Sequence, residues 1–411
     1  RDTLWMLFSK LFNIVMQTAY FIIIARLLGK ENYGSFVAIT AVANLVFPFV
    51  PLGSEHLLVK NVSTNRATFS TNWGNSLVLS IVNGTFLTLL LFLLSSVLFP
   101  GNIPWVAILL ILVADLICLA LLDLGSKSLL ASNMVNKTAQ LEVLGTCSKL
   151  LAALSLVVFF PNPSVNTWSY LYCTSSVVMT VITILLITKM LGLPRPILSE
   201  LRSNLVQGFY FSISTSANNI NANLDKSMLS KISGVGATGI YASAYRFIDV
   251  ANSPLLALFG ATYTRFFQHG ASGVRGSFNF GKRLLPILTF YAIATVIGFW
   301  LIAPFIPVIL GEDYRDAIGA LLWLSPLPAI AAFQYLAADT LTGSGHQKSR
   351  SIVQVGSALV NVVLNIILIP LFSWKGAAIA TIISDSVRLV CLWLIVFILY
   401  RRESKQDYSP G

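Results

Sequence analysis

Six basic residues fall inside apolar runs rather than between them: Lys10, Arg26, Lys149, Lys226, Arg246 and Arg388. Holding an ammonium or guanidinium at the centre of a bilayer costs about 2.5–3.5 kcal/mol on insertion scales, so each should face a wet cavity or a partner. Arg26 and Arg246 lie near the ends of their runs, where a long side chain can snorkel to headgroups. Lys149 lies deeper, with Glu142 two turns earlier on nearly the same face; that spacing suits either an internal ion pair or an anion-binding cavity lysine. Asp225 and Lys226 are adjacent, so on a helix they point about 100° apart and each needs its own partner. Asp385 and Arg388, at i and i+3, can pair locally.

Asn361 and Asn365 repeat at i and i+4 in an otherwise apolar run and fall on one stripe. Such a stripe can be hydrogen-bonding glue between helices. The other reading is a hard-cation site, with Asp225 as the anionic ligand and neutral oxygens from Asn361, Asn365, Thr381 and a carbonyl near Ala377. An oxygen-only shell around one carboxylate is what a hard cation prefers. Glu55, Asp115, Asp123, Glu142 and Asp339, with His56, His269 and His346, fall toward one set of run ends, where solvated or paired groups are expected and a proton relay is open.

The elements that must position these groups are membrane helices. Of 411 residues, 56% are apolar and 10% charged, with a mean hydropathy of +0.78, which no water-facing surface of this size tolerates. Apolar runs long enough to cross a hydrocarbon core of about 30 Å recur along the chain, near 5–28, 34–58, 74–99, 102–123, 138–160, 166–190, 205–230, 237–265, 284–310, 317–342, 349–372 and 376–400. The first run is too long and too punctuated by polar residues for a signal-peptide core and is expected to be a retained helix. Turn chemistry at 29–34 (GKENYG), Pro100-Gly101, Pro161 to Pro163 and Gly343 to Gly345 separates the runs. None of these connections has room for a folded domain.

The net charge of +11 follows topology, not nucleic acid: one set of loops carries roughly four times the Lys and Arg of the other, which holds only Lys30, Lys231, Arg315 and Lys375. Both termini should be cytoplasmic. A shift of about half the chain superposes Gly29 on Gly234, Gly34 on Gly239, Phe36 on Tyr241 and Asn44 on Asp249, as in a duplication. The halves, 1–200 and 201–411, would then be two lobes with the same orientation and a substrate path between them. Cys118, Cys147, Cys173 and Cys391 lack paired spacing and read as packing residues rather than disulfides or metal ligands. A nucleotide-binding loop, a clustered metal site and a serine elbow are all missing, which argues against direct ATP drive and against an enzyme.

The stretch 25–34, ARLLGKENYG, resembles the ARLLG-x-x-x-YG signature of bacterial polysaccharide exporters, the Wzx-type lipid-linked oligosaccharide flippases of the multidrug/oligosaccharidyl-lipid/polysaccharide (MOP) superfamily. Leu224-Asp225-Lys226 followed by Gly234, Gly239, Tyr241 and Ala242 resembles their seventh-to-eighth-helix signature. The resemblance implies an all-α membrane fold of about twelve helices in two six-helix lobes, like the multidrug (MATE) transporters. It also implies translocation of an undecaprenyl-pyrophosphate-linked oligosaccharide, such as an O-antigen or capsule repeat, across the bacterial inner membrane by alternating access. Lys149, Lys226, Arg246 and Arg26 are then the candidates to line a cationic cavity for the pyrophosphate. Asp225, Asn361, Asn365 and Thr381 match a sodium site found in relatives, with asparagine at Asn365 where an acidic residue would bind more strongly; Na+ or H+ is the implied coupling ion and no cofactor is implied. Membrane lipids, a polysaccharide polymerase and a chain-length regulator are the implied partners. A drug/cation antiporter of the same fold is the alternative, and should favour acidic and aromatic cavity residues over cations. An integral-membrane polymerase is a third reading, but it would need an extramembrane catalytic segment.

Overall fold

The computed structural model describes residues 2–197, 212, 216, 219, 220 and 222–406, with side chains from Phe12 to Glu403. Arg1, Arg202, the side chains of Lys10 and Lys405 and much of the helix expected over 205–230 lie outside the described residues. Among the described residues all regular structure is helical, and nine stretches are long and apolar enough to cross a membrane. The chain divides into two compact units, 1–239 and 240–411.

In the first unit α1 (Asp2–Val46) is two helices joined through a kink at Gly29, whose φ of 67° is left-handed. Glycine meets that demand without the Cβ clash another residue would pay. The second limb stops at Val46, well before the expected 58. Pro48 and Pro51 lack amide donors, Gly53 resets the backbone with a left-handed φ of 68°, and α2 (Ser54–Thr64) starts afresh after it. Then follow α3 (Phe69–Leu93) and the single turn α4 (Ser95–Leu98). The next span is continuous: α5 (Trp105–Leu112), a π-helical turn Val113–Cys118, and α6 (Leu119–Ala131). Helices α7 (Val135–Phe159) and α8 (Val165–Leu191) are separated by Pro161 and Pro163. The last helix that lies wholly in this unit is α9 (222–233).

Hydrogen bonds tie the connections into two opposed sets. Asn32 Oδ1 accepts from Val165 N, and Lys231 Nζ reaches the carbonyls of Ser96 and Phe99, both at 3.0 Å. At the other helix ends Arg66 donates to Ser132 O and Arg195 N to Ser70 O. The Lys- and Arg-rich connections of this unit are thereby gathered at one set of helix ends.

Helix α10 (Val235–Gly270) begins in the first unit and continues into the second. There α11 (Val274–Lys282), α12 (Leu285–Ile302), α13 (Ile306–Leu310), α14 (Asp316–Leu324), α15 (Leu327–Gly343), α16 (Gln347–Phe372) and α17 (Trp374–Gln406) complete the fold. Pro326 breaks one expected span into α14 and α15 because it cannot donate to the preceding turn. α11 is short and amphipathic, burying Val274 and Phe280. Its free N-terminal amides are taken by Glu403 of α17, from Val274 N at 2.8 Å and Arg275 N at 3.0 Å, a carboxylate at the positive end of a helix. Outward-facing side chains such as Leu93, Phe290 and Val158 remain exposed on the apolar spans, as a lipid solvent permits.

Candidate functional site

In the first unit the polar residues converge on Tyr172. Its hydroxyl donates to Asp115 Oδ1 at 2.7 Å and accepts from Lys149 Nζ at 3.4 Å. The ammonium also stands over the Tyr172 ring, 5.0 Å from its centroid, as a cation–π contact. The π-helical turn aims Asp115 inward. One extra residue per turn rotates the following side chains, and such bulges gather at functional sites. Around Tyr172 stand Phe36 and Trp168, with ring centroids 5.2 and 5.5 Å away, and Tyr20 packs on Trp168.

Asp115 is only 4% exposed, which corrects its placement at a solvated or paired rim. Sequence reasoning also missed Tyr172, although Trp168 and Tyr172 at i and i+4 mark an aromatic stripe on α8. Of the four candidate cavity cations, Lys149 and Lys226 are half-buried, whereas Arg26 and Arg246 are exposed. Glu142, one of the partners considered for Lys149, is exposed as well. Lys226 Nζ donates to Ala222 O at 2.7 Å, while the buried Asp225 carboxylate accepts from the Lys226 amide at 2.7 Å.

In the second unit Asn365 Nδ2 donates to Asn361 Oδ1 at 2.8 Å, Asn361 Nδ2 to Ser384 Oγ at 3.0 Å, and Ser384 Oγ to Thr381 O at 3.0 Å. Tyr241 and Thr381 hydroxyls meet at 3.3 Å. The asparagine stripe therefore does bridge α16 and α17, with Ala377 and Thr381 buried on the facing helix. One acceptor is left over: Asn365 Oδ1 is buried and meets no donor. An amide oxygen without a donor is a ligand type that a hard cation takes, and there is no group of three His, Cys, Asp or Glu that could hold a metal among the described residues. Elsewhere in the unit Arg388 pairs with Asp385 at 2.9 Å and donates twice to Gln334 Oε1, at 3.0 and 2.6 Å. Arg350 holds the buried Asp339 at 3.3 Å. These two cations are occupied by structural partners.

A family model described as polysaccharide biosynthesis protein matches residues 1–269. Among solved structures, an inward-facing multidrug resistance MATE family transporter of the MOP superfamily superposes with a TM-score of 0.76 at 16% identity, covering 98% of this chain and 96% of that one. The lipid II flippase MurJ in an inward closed conformation gives 0.72 at 13% identity, over 99% and 93%. A MOP superfamily transporter from Pyrococcus furiosus, described as having a binding pocket of reversed polarity, gives 0.57 at 16%, over 97% and 95%. A search of curated proteins finds no match. At these identities the likenesses establish the fold: an all-α, multi-pass membrane protein of the MATE and MurJ type.

Proposed function

The chain belongs to the polysaccharide biosynthesis protein family, and from that premise we propose that it flips an undecaprenyl-pyrophosphate-linked oligosaccharide, such as an O-antigen or capsule repeat unit. Transport runs from the inner to the outer leaflet of the bacterial cytoplasmic membrane by alternating access, with both termini cytoplasmic. Residues 1–200 and 201–411 act as the two lobes, and a polymerase and a chain-length regulator take the product onward.

The observation that carries this reading is Lys149. Its ammonium sits near the middle of an apolar helix and rests on a phenol hydroxyl and ring face. Two phosphates in a low dielectric need fixed positive charge, and charge-assisted bonds supply it. Lys226, half-buried on α9, is the second such cation. A drug/cation antiporter of the same fold would favour acidic and aromatic cavity residues over cations, so the lysine at this site favours the anionic cargo.

Ion coupling belongs to the same proposal. Asn365, Thr381 and the Ala377 carbonyl are the second-unit oxygens that would hold Na+, which would supply a fixed positive charge there. Asp225 is the first-unit carboxylate whose replacement should alter the ion dependence.

In a strain lacking its own flippase, Lys149→Ala and Lys226→Ala should each abolish surface polysaccharide while the protein remains in the membrane at wild-type level. Unchanged polymer in both variants overturns the cationic-cavity reading.

A further inference from the structure

Lys149 and Asp115 share one tyrosine hydroxyl, and Lys149 is a cation whose charge acts directly on Asp115. Together they make a neutral set: a buried carboxylate, a phenol that donates to it and accepts from the ammonium, and the ammonium itself. In a low dielectric neither charge can lose the other without a substitute, because an uncompensated buried charge is far more costly than the pair.

Taking the proposed cargo as the premise, a phosphate that engages Lys149 draws the ammonium away from Tyr172 and brings a second negative charge toward Asp115. The carboxylate then has one inexpensive neutral form, the acid. We propose that Asp115 is a proton-binding site linked to the cargo through Tyr172 and Lys149, so that anion binding at Lys149 is accompanied by uptake of one proton from water onto the Asp115 carboxylate. By reciprocity the same proton strengthens anion binding.

The surroundings leave Asp115 as the group that answers. Tyr172 faces it from α8, Lys149 from α7 and Cys118 from its own turn, and Cys173 of α8 stands against Cys118. Helices α3 and α5 hold no ionisable residue. From α6 the ionisable groups are Asp123 and Lys127, further along the helix. α1 turns Phe36 to the Tyr172 ring. The thiols and the phenol are neutral at physiological pH when free of stronger bases, and the protonated acid can still bond to the Tyr172 oxygen.

The test is calorimetric. Purified protein in nanodiscs is titrated with farnesyl pyrophosphate, a short probe carrying the polyprenyl pyrophosphate headgroup, in buffers of differing ionisation enthalpy, and the protons exchanged per probe are read from the slope. Asp115→Asn, which keeps an acceptor for Tyr172, corrects for protons taken by the probe itself. The wild type should take up about one proton more than Asp115→Asn, and its affinity should rise about tenfold per unit fall in pH relative to that variant. Tyr172→Phe, which keeps the carboxyl and removes the bridge, should bind the probe with the excess uptake reduced. Equal proton uptake and equal pH slopes in wild type and Asp115→Asn overturn the linkage. Lys149→Gln separates the premise: if it binds the probe as the wild type does, the cargo assignment to Lys149 falls. If it loses binding while Asp115→Asn matches wild type, the linkage alone falls.

Discussion

Asn365 is the residue where a small change should be most telling. Its amide oxygen is buried with no donor against it, while its nitrogen is committed to Asn361. An unsatisfied buried acceptor costs about 1–3 kcal/mol, which a cation would recover. Asn365→Asp replaces that oxygen with a carboxylate, a stronger ligand for a hard cation and a worse group to bury alone. The variant should lose thermal stability in choline chloride and regain it in sodium chloride, by about 2.7 kcal/mol once sodium reaches a hundred times its Kd. If sodium and choline give the same Tm, the oxygen set around Asn365 is helix glue and no more. The i, i+4 spacing made the Asn361–Asn365 stripe legible in the sequence, since one helix suffices to align it. Asp115 was not legible in the same way. Its hydroxyl partner lies 57 residues away on another helix, and the π-helical turn that points it inward has no signature in residue types.

At the scale of elements, the two glycine motifs aligned by the half-chain shift turn out to share a structural task. Gly29 and Gly234 both break the helix with positive φ, 67° and 90°. Gly34 and Gly239 then let the following helices touch backbone to backbone. A methyl at Gly34 would collide with the Val235 carbonyl, and one at Gly239 with the carbonyl of Lys30. Small residues at such crossings are how membrane helices pack without a hydrophobic driving force. Gly34→Ala and Gly239→Ala should therefore force α1 and the start of α10 apart at a cost of about 1–3 kcal/mol. Gly145→Ala on α7 is the opposite case. No atom stands within 4 Å of the added methyl, and alanine should stabilise that helix by about 0.5–1 kcal/mol through propensity. Thermal unfolding in one detergent compares all three; a Gly34→Ala protein as stable as Gly145→Ala removes the close-packing account. The helical character and most of the turns were readable from apolar runs and Pro-Gly punctuation. The early stop of α1 at Val46 and the break at Pro326 were not, because apolar composition continues across both and only proline geometry interrupts the helix.

For the whole molecule the claim to test is which way it faces. In the first unit the connections joined by Arg66 and Arg195 carry the basic residues, and the opposite connections hold Lys30 and Lys231. In the second unit the ends near Gly273, His346 and Glu403 hold Arg275, Lys282, Arg283, Lys348, Arg401 and Arg402, against Arg315 and Lys375 at the other ends. Lys282 and Arg275 also lie over the Tyr400 ring, a basic and aromatic rim of the kind found where helices leave the bilayer. Basic connections stay cytoplasmic because translocating them is costly, so Ser63 and Ser272 should face the cytoplasm, and Asn102 and Asp313 the other side. All four positions are exposed. In a background where Cys118, Cys147, Cys173 and Cys391 are replaced by alanine, a membrane-impermeant maleimide should label Asn102→Cys and Asp313→Cys on cells whose inner membrane is intact. Ser63→Cys and Ser272→Cys should react only after that membrane is opened. The reverse pattern would place Arg275 and Arg401 outside and invert the direction in which an anionic lipid headgroup meets Lys149. Labelling of one unit's pair but not the other's would break the shared orientation that the half-chain duplication requires.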